Sequence, residues 1–171
     1  KAGQLLAKKY TLQITNVPYL GRGRQQEDGA IQLYCSKNYP LSKGDLANVF
    51  FEKMLKNTTG TACTVMPQNW LFLTTYKKHR VDLLTNRSWN FIARLGSGAF
   101  SQITGEVVKV ILVAISPSKP KSNHLFIGLD VSEAFNVAGK DSGLKYSEIK
   151  SVNQFSQLRN PDARVVIGEE N

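Results

Sequence analysis

The sequence predicts an α/β domain with a mostly parallel sheet. Three observations carry that expectation. Short apolar segments at residues 10–15, 61–66, 89–95 and 107–116 have the length and composition of strands. Segments of helical period lie between the first three of them, which is the order of a parallel sheet with crossover helices. Gly- and Pro-containing stretches separate the units.

The elements follow in order. Residues 1–9 read as the end of a helix, with Leu5 and Leu6 as the tail of its apolar face. Residues 10–15 alternate weakly and read as a central parallel strand, short and buried. Residues 20–43, rich in Gly, Gln and Arg, read as a long loop with one short apolar turn at 30–34. Residues 45–57 form a helix: Ser42 and Asp45 supply capping chemistry, and Leu46, Val49, Phe50 and Met54 recur at helical spacing. Pro67 stops the strand at 61–66, and Trp70 and Phe72 follow in a loop or helix entry. A helix over 75–84 turns Tyr76, Leu83 and Leu84 inward and Lys77, Lys78 and Arg80 outward, so its basic run reads as a solvated face. Trp89, Phe91 and Leu95 alternate on the next strand, and both tryptophans read as core. A turn-rich connection at 96–105 leads to VVKVILVAIS, the firmest strand of the chain. Beyond it lie a surface loop with two prolines, a strand at 124–130, a short helix at 132–138 capped by Ser132, and a turn at 139–143. Residues 145–155 are helical or irregular, and the tail carries a short strand-like run at 164–167.

Composition narrows the function classes. A chain of 171 residues with 42% hydrophobic residues can bury a core. It has no apolar run long enough for a membrane-spanning helix and no signal-peptide pattern at its start, so the expected location is cytoplasmic. Cys35 and Cys63 lie far apart and read as free thiols, and two Cys with two His make no credible zinc site. The net charge is +9, with the basic excess concentrated in residues 1–90, the footprint of a polyanion partner. Charge alone does not choose between DNA, RNA and a membrane surface.

The stretch YTLQITNVPYLGRG, residues 10–23, carries the chemistry. A strand ending in Asn16-Val17-Pro18-Tyr19 can hold an amino group. The Asn16 amide oxygen and a neighbouring backbone carbonyl both accept from one NH2. Pro18 fixes its own φ and keeps Val17 extended, which sets the direction of that carbonyl. Tyr19 can lay its ring on a planar base.

These residues resemble the (Asn/Asp)-Pro-Pro-(Tyr/Phe/Trp) motif of S-adenosylmethionine-dependent amino-methyltransferases. The ordered blocks TNVPYLGRG, NYPLSKGDLANVFFEKML, VMPQNWLFLTTYKKHRVDLL and LGSGAFSQITGEVVKVILVAI are similar to DNA adenine-N6 methyltransferases of fused restriction–modification and phage-exclusion systems. The likeness covers roughly residues 10–116. It implies the second half of a Rossmann-like methyltransferase sheet, mostly parallel with one antiparallel strand. It also implies residues 1–116 as the target-base half of a catalytic domain and 117–171 as a connector toward a target-recognition region. Double-stranded DNA and the remainder of the parent methyltransferase are the implied partners, with no membrane. Asn16, Val17 and Pro18 would hold the adenine amine, Tyr19 and Phe100 would stack on the base, and Arg22 and Arg24 would touch phosphates. S-adenosylmethionine is the implied cofactor of the parent. Its Gly-rich binding motif is absent from this chain, and Gly96-Ser97-Gly98 lacks the strand–helix context and the acidic partner to replace it. Val17 departs from the family's usual Pro but retains the carbonyl. An RNA or protein-glutamine methyltransferase, and a non-catalytic DNA-binding module of the same fold, stay open at this point.

Overall fold

A computed structural model describes residues 2–25, 29–100 and 108–168. Its centre is a six-stranded sheet in the order β1-β2-β4-β3-β5-β6: β1 Tyr10–Asn16, β2 Thr58–Pro67, β3 Ser88–Gly96, β4 Val110–Ser116, β5 Leu125–Asp130 and β6 Lys150–Asn153. β1 runs parallel to β2 and β3 parallel to β5, while β4 lies antiparallel between β2 and β3. The expected single reversed strand is therefore β4, the VILVAIS strand. A second, β6, pairs antiparallel with β5 at the far edge, in the stretch the periodicity left helical or irregular. The helices are α1 Ala2–Ala7, α2 Ala30–Asn38, α3 Leu46–Asn57, α4 Lys77–Asn86 and α5 Val137–Tyr146.

Helix α3 forms where its cap and its apolar stripe coincide. The Asp45 carboxylate accepts from the Ala47 N–H at 2.8 Å, satisfying a donor that the helix itself cannot. Its buried face is Ala47, Phe51, Met54 and Leu55, set against β2. Phe50, expected inward, is 44% exposed, because the stripe is centred one residue later. Val49 and Leu46 instead meet Cys35 and Tyr39 in a small cluster under α2. That helix corrects the expected long loop: residues 30–38 make two full turns rather than one apolar turn. Their polar residues and weak amphipathicity hid it.

The main core lies between β2–β6 and the layer of α3 and α4. Trp70, Trp89, Phe126 and Phe51 make a chain of tilted aromatic pairs with centroids 5.7–6.4 Å apart. Both tryptophans are core residues, as expected. Arg80 is not on a solvated face. It is 0% exposed, and its guanidinium donates to the carbonyls of Trp70, Leu73, Ala163 and Asp162 at 2.6–3.1 Å. With His79, it occupies the inward stripe between Tyr76 and Leu83, positions that a charge-based reading assigns to solvent.

Three further expectations change. β1 is an edge strand with largely exposed side chains rather than a central buried one, since among the described residues it pairs with β2 alone. Asn136, not Ser132, caps the later helix by accepting from the Gly139 N–H, so residues 137–146 are helical and 139–143 are no turn. Residues 164–167 are irregular, although Val165 and Ile167 are buried in the main core. Val107, the expected first residue of β4, lies outside the described residues, as do residues 101–105 of the turn-rich connection.

Candidate active site

The carboxyl ends of β1, β2, β3 and β5 lie at one end of the sheet. Asn16 pairs with Val65, Pro67 with Val110, and Arg94 with Asp130. In open α/β sheets this is where ligands bind. Asn16 is the last residue of β1 and is exposed. Val17 is only 4% exposed and belongs to the main core. Its side chain pins the backbone, a role open to Val where the family usually has Pro. Pro18 is exposed again.

Tyr19 turns back and joins both buried clusters of the molecule. Its hydroxyl donates to the Asn16 amide oxygen at 3.1 Å. Burial, reinforced by the Asp45 charge, raises the phenol pKa to about 12, so the hydroxyl keeps its proton at physiological pH. Phe100 packs on the same cluster as Tyr19, together with Leu95, Val110 and Leu129. Two aromatics far apart in the chain thus pack against one buried cluster.

The segment after Tyr19 is held against the start of α3. Residues 20–22 and 44–46 carry a short ladder: the Arg22 N–H donates to the Gly44 carbonyl at 2.9 Å, the Leu46 N–H to the Leu20 carbonyl at 3.1 Å, and Gly21 bridges Asp45. The 3-10 turn Arg22–Arg24 follows. Arg22 donates to the Ser36 hydroxyl at 2.9 Å, which directs it to α2. Arg24 lines the cleft.

That cleft has a volume of about 600 Å³, within the range of small-ligand sites. Tyr19, Arg24, Asp45, Gln68, Asn69 and Lys109 line it. Asp45, Gln68, Asn69 and Lys109 escaped the sequence reading. Asp45 was visible only as a helix cap. Gln68 and Asn69 sit in a loop, and the one available signal was Pro67 closing a strand whose carboxyl end faces the same way as that of β1. The Gln68 N–H donates to the Lys109 carbonyl at 2.9 Å, so these two walls of the cleft are one hydrogen-bonded unit.

The described residues do not fit S-adenosylmethionine as a complete site. Gly96 and Gly98 have φ of +66° and +71°, values that favour glycine. A Cβ on Gly96 would meet the Ser132 Cβ at 2.8 Å, and one on Gly98 the Phe135 carbonyl oxygen at 2.9 Å. These glycines admit the 132–135 turn, and this chain itself fills the space over them. Among the described residues, no group of three or more His, Cys, Asp or Glu could hold a metal ion.

A family model, Eco57I restriction-modification methylase, matches residues 4–100. The adenine-specific methyltransferase PglX of Lacticaseibacillus casei (strain Zhang) is 33% identical over 123 residues, 70% of this chain and 10% of that protein. The adenine-specific methyltransferase BrxX of Escherichia coli O9:H4 (strain HS) is 35% identical over 122 residues, again 70% of this chain and 10% of that protein. The chain thus spans a tenth of the length of these curated relatives. The type I restriction-modification system methyltransferase subunit from Streptococcus thermophilus has the same fold, with a TM-score of 0.61 at 12% identity, over 94% of this chain and 38% of that one. The chain belongs to the Eco57I restriction-modification methylase family.

Proposed function

We propose that this chain is the target-base half of a site-specific DNA methyltransferase that transfers a methyl group from S-adenosylmethionine to N6 of adenine, in restriction–modification or phage defence. One observation carries the reading. Asn16 ends a parallel strand, and Tyr19, three residues on, lines a cleft of suitable size, in a chain of a restriction-modification methylase family. The two adenine-specific relatives support adenine as the target.

The chemistry follows from the residues. The adenine amine is a poor nucleophile because its lone pair is delocalised into the ring. Accepting its N–H groups at the Asn16 oxygen and the Val17 carbonyl favours a tetrahedral nitrogen with the lone pair freed. The base leaves the duplex to reach this position, at a cost of a few kcal/mol. Stacking on Tyr19, with Phe100 as a second surface, offsets that cost by about 1–3 kcal/mol. Arg24 at the cleft, and Arg22 beside it, would meet phosphates, contacts that orient DNA without reading its sequence. S-adenosylmethionine supplies an electrophilic methyl group. Its site belongs to the remainder of the parent protein, for which the exposed edge strand β1 is the natural neighbour.

On this reading residues 1–116 form the catalytic half, and residues 117–171, which share its sheet through β5 and β6, lead toward a target-recognition region. No described helix is long and apolar enough to cross a membrane. A DNA-modifying parent would act in the cytoplasm.

The test is methyl transfer from labelled S-adenosylmethionine to unmethylated DNA. The full-length parent and this chain alone are compared, each as wild type and as Asn16→Ala. The expected result is label on adenine N6 with the parent only, reduced roughly a hundredfold or more by the substitution. An intact, cofactor-binding parent that labels no DNA would instead point to RNA, a protein glutamine or a non-catalytic role.

A further inference from the structure

We infer that Gln68 is a base-binding residue, whose carboxamide hydrogen-bonds the target adenine at a ring nitrogen beside the amine, N1 or N7. The inference rests on the function proposed above and adds a contact that Asn16, Val17 and Tyr19 do not make.

Gln68 follows the last residue of β2 and lines the cleft together with Tyr19. β1 and β2 are parallel neighbours with Asn16 opposite Val65, so Tyr19 and Gln68 each lie three residues past the same level of the sheet. The main chain of Gln68 is fixed: its N–H donates to the Lys109 carbonyl at 2.9 Å, and its carbonyl accepts from the Leu71 N–H at 3.0 Å. The residue is only 9% exposed, and its Oε1 is shut off from solvent with no hydrogen-bond partner among the described residues. A buried amide left unpaired is costly, and native folds leave few of them. Of the described residues that carry such an atom, Gln68 alone lines the cleft.

Gln154 shows what a glutamine does in this fold when its role is structural. It is 0% exposed, its Oε1 accepts from the Trp89 N–H at 2.9 Å, and its NH2 donates to the carbonyls of Leu84 and Arg87 at 2.6 and 2.8 Å. The Gln68 oxygen has no such bond. The last torsion of a glutamine is soft and roughly two-fold, so the carboxamide can turn either end to a ligand, and the ligand decides which. An adenine stacked on Tyr19 makes that choice. With its amine held by Asn16 and Val17, the base has only acceptors left beside the amine, the ring nitrogens N1 and N7, and these take an N–H donor. Arg24, Asn69 and Lys109 also line the cleft but are exposed, so none of them needs a ligand to complete its hydrogen bonds.

The test crosses Gln68→Leu in the full-length parent with target bases that lack one ring nitrogen, 1-deazaadenine and 7-deazaadenine. Methyl transfer to each is measured as kcat/KM. Gln68→Leu is expected to lower transfer to adenine about three- to tenfold, the value of one hydrogen bond. On one of the two deaza bases, wild type and variant should agree within about twofold, and that base identifies the nitrogen. Gln68→Glu keeps the shape but replaces the NH2 donor by an oxygen, and it should lose at least as much on adenine as Gln68→Leu. In urea unfolding of this chain, Gln68→Leu should be as stable as wild type or more so, because it removes a buried unpaired amide. A clear loss of stability would assign Gln68 a structural role and overturn the inference. An equal loss on adenine and on both deaza bases would overturn it too, as would a Gln68→Leu parent with wild-type kcat/KM on adenine. A wild-type parent that labels no adenine is a different failure, that of the proposed function, and the first measurement of the set reveals it.

Discussion

Arg80 and Asn16 make opposite use of polar side chains. Arg80 lies in a basic run, Lys77–Arg80, that looks like a surface for a polyanion, yet it is wholly buried and its donors end on four backbone carbonyls. It ties the 70–73 segment to the 162–163 segment, and the Val165 N–H adds a bond to the Leu71 carbonyl. Asp162 and Ala163 adopt left-handed conformations, φ +56° and +52°, to present those carbonyls, a strain that the clamp offsets. Asn16 is uncharged and exposed, and it keeps accepting capacity in reserve. A polar group whose bonds all close within the fold is structural. One held in place with capacity left over is available to a ligand.

Breaking the clamp should have the largest effect on stability. Arg80→Leu leaves several buried carbonyls without donors and is expected to cost about 3 kcal/mol or more in urea unfolding of this chain. Asn16→Ala, which should lower transfer in the parent roughly a hundredfold or more, is expected to change stability by less than about 0.5 kcal/mol. A small loss at Arg80 would remove the distinction between the two sites.

His79 sharpens the same comparison through pH. It is buried against Trp70, and desolvation, only partly countered by Glu52 and Asp82, lowers its pKa to about 4. The unfolded chain binds a proton near pH 6.5 while the folded chain resists it, so the stabilisation is complete above pH 6.5 and declines as pH falls toward 4. Between pH 7 and pH 5 the wild type should lose about 2 kcal/mol, and His79→Leu should lose little over that interval. Denaturant titrations at both pH values check this; parallel losses in the two proteins would assign the effect to other groups.

The smallest effect on this chain is expected at the open edge. Ile14 is 72% exposed on β1. Ile14→Thr should leave unfolding of the isolated chain within about 0.5 kcal/mol of wild type. In the full-length parent the same substitution should lower the melting temperature by several degrees, because there β1 is expected to be covered. Equal melting temperatures would show that this face is solvent-exposed in the parent as well.

Much of this protein is legible in its sequence where local rules act alone. The Asp45 cap, the VILVAIS strand, the tryptophan core and the strand-end motif at Asn16–Tyr19 each rest on periodicity, capping or backbone restriction within a few residues. The orientation of Arg80, the use of Phe51 rather than Phe50, the helix at 137–146 and the membership of Gln68, Asn69 and Lys109 in the cleft do not. These depend on partners distant in the chain: carbonyls at 162 and 163, the face of β2 and the register of β2 on β4. Sequence alone determined the end of strand β1 at Asn16-Val17-Pro18-Tyr19 and the succession of β1, α3, β2, α4, β3, β4 and β5, because both are set by neighbouring residues. Only the tertiary structure decided which polar groups are consumed by the fold and which remain open at the cleft, because hydrogen-bond satisfaction is a property of groups brought together by folding.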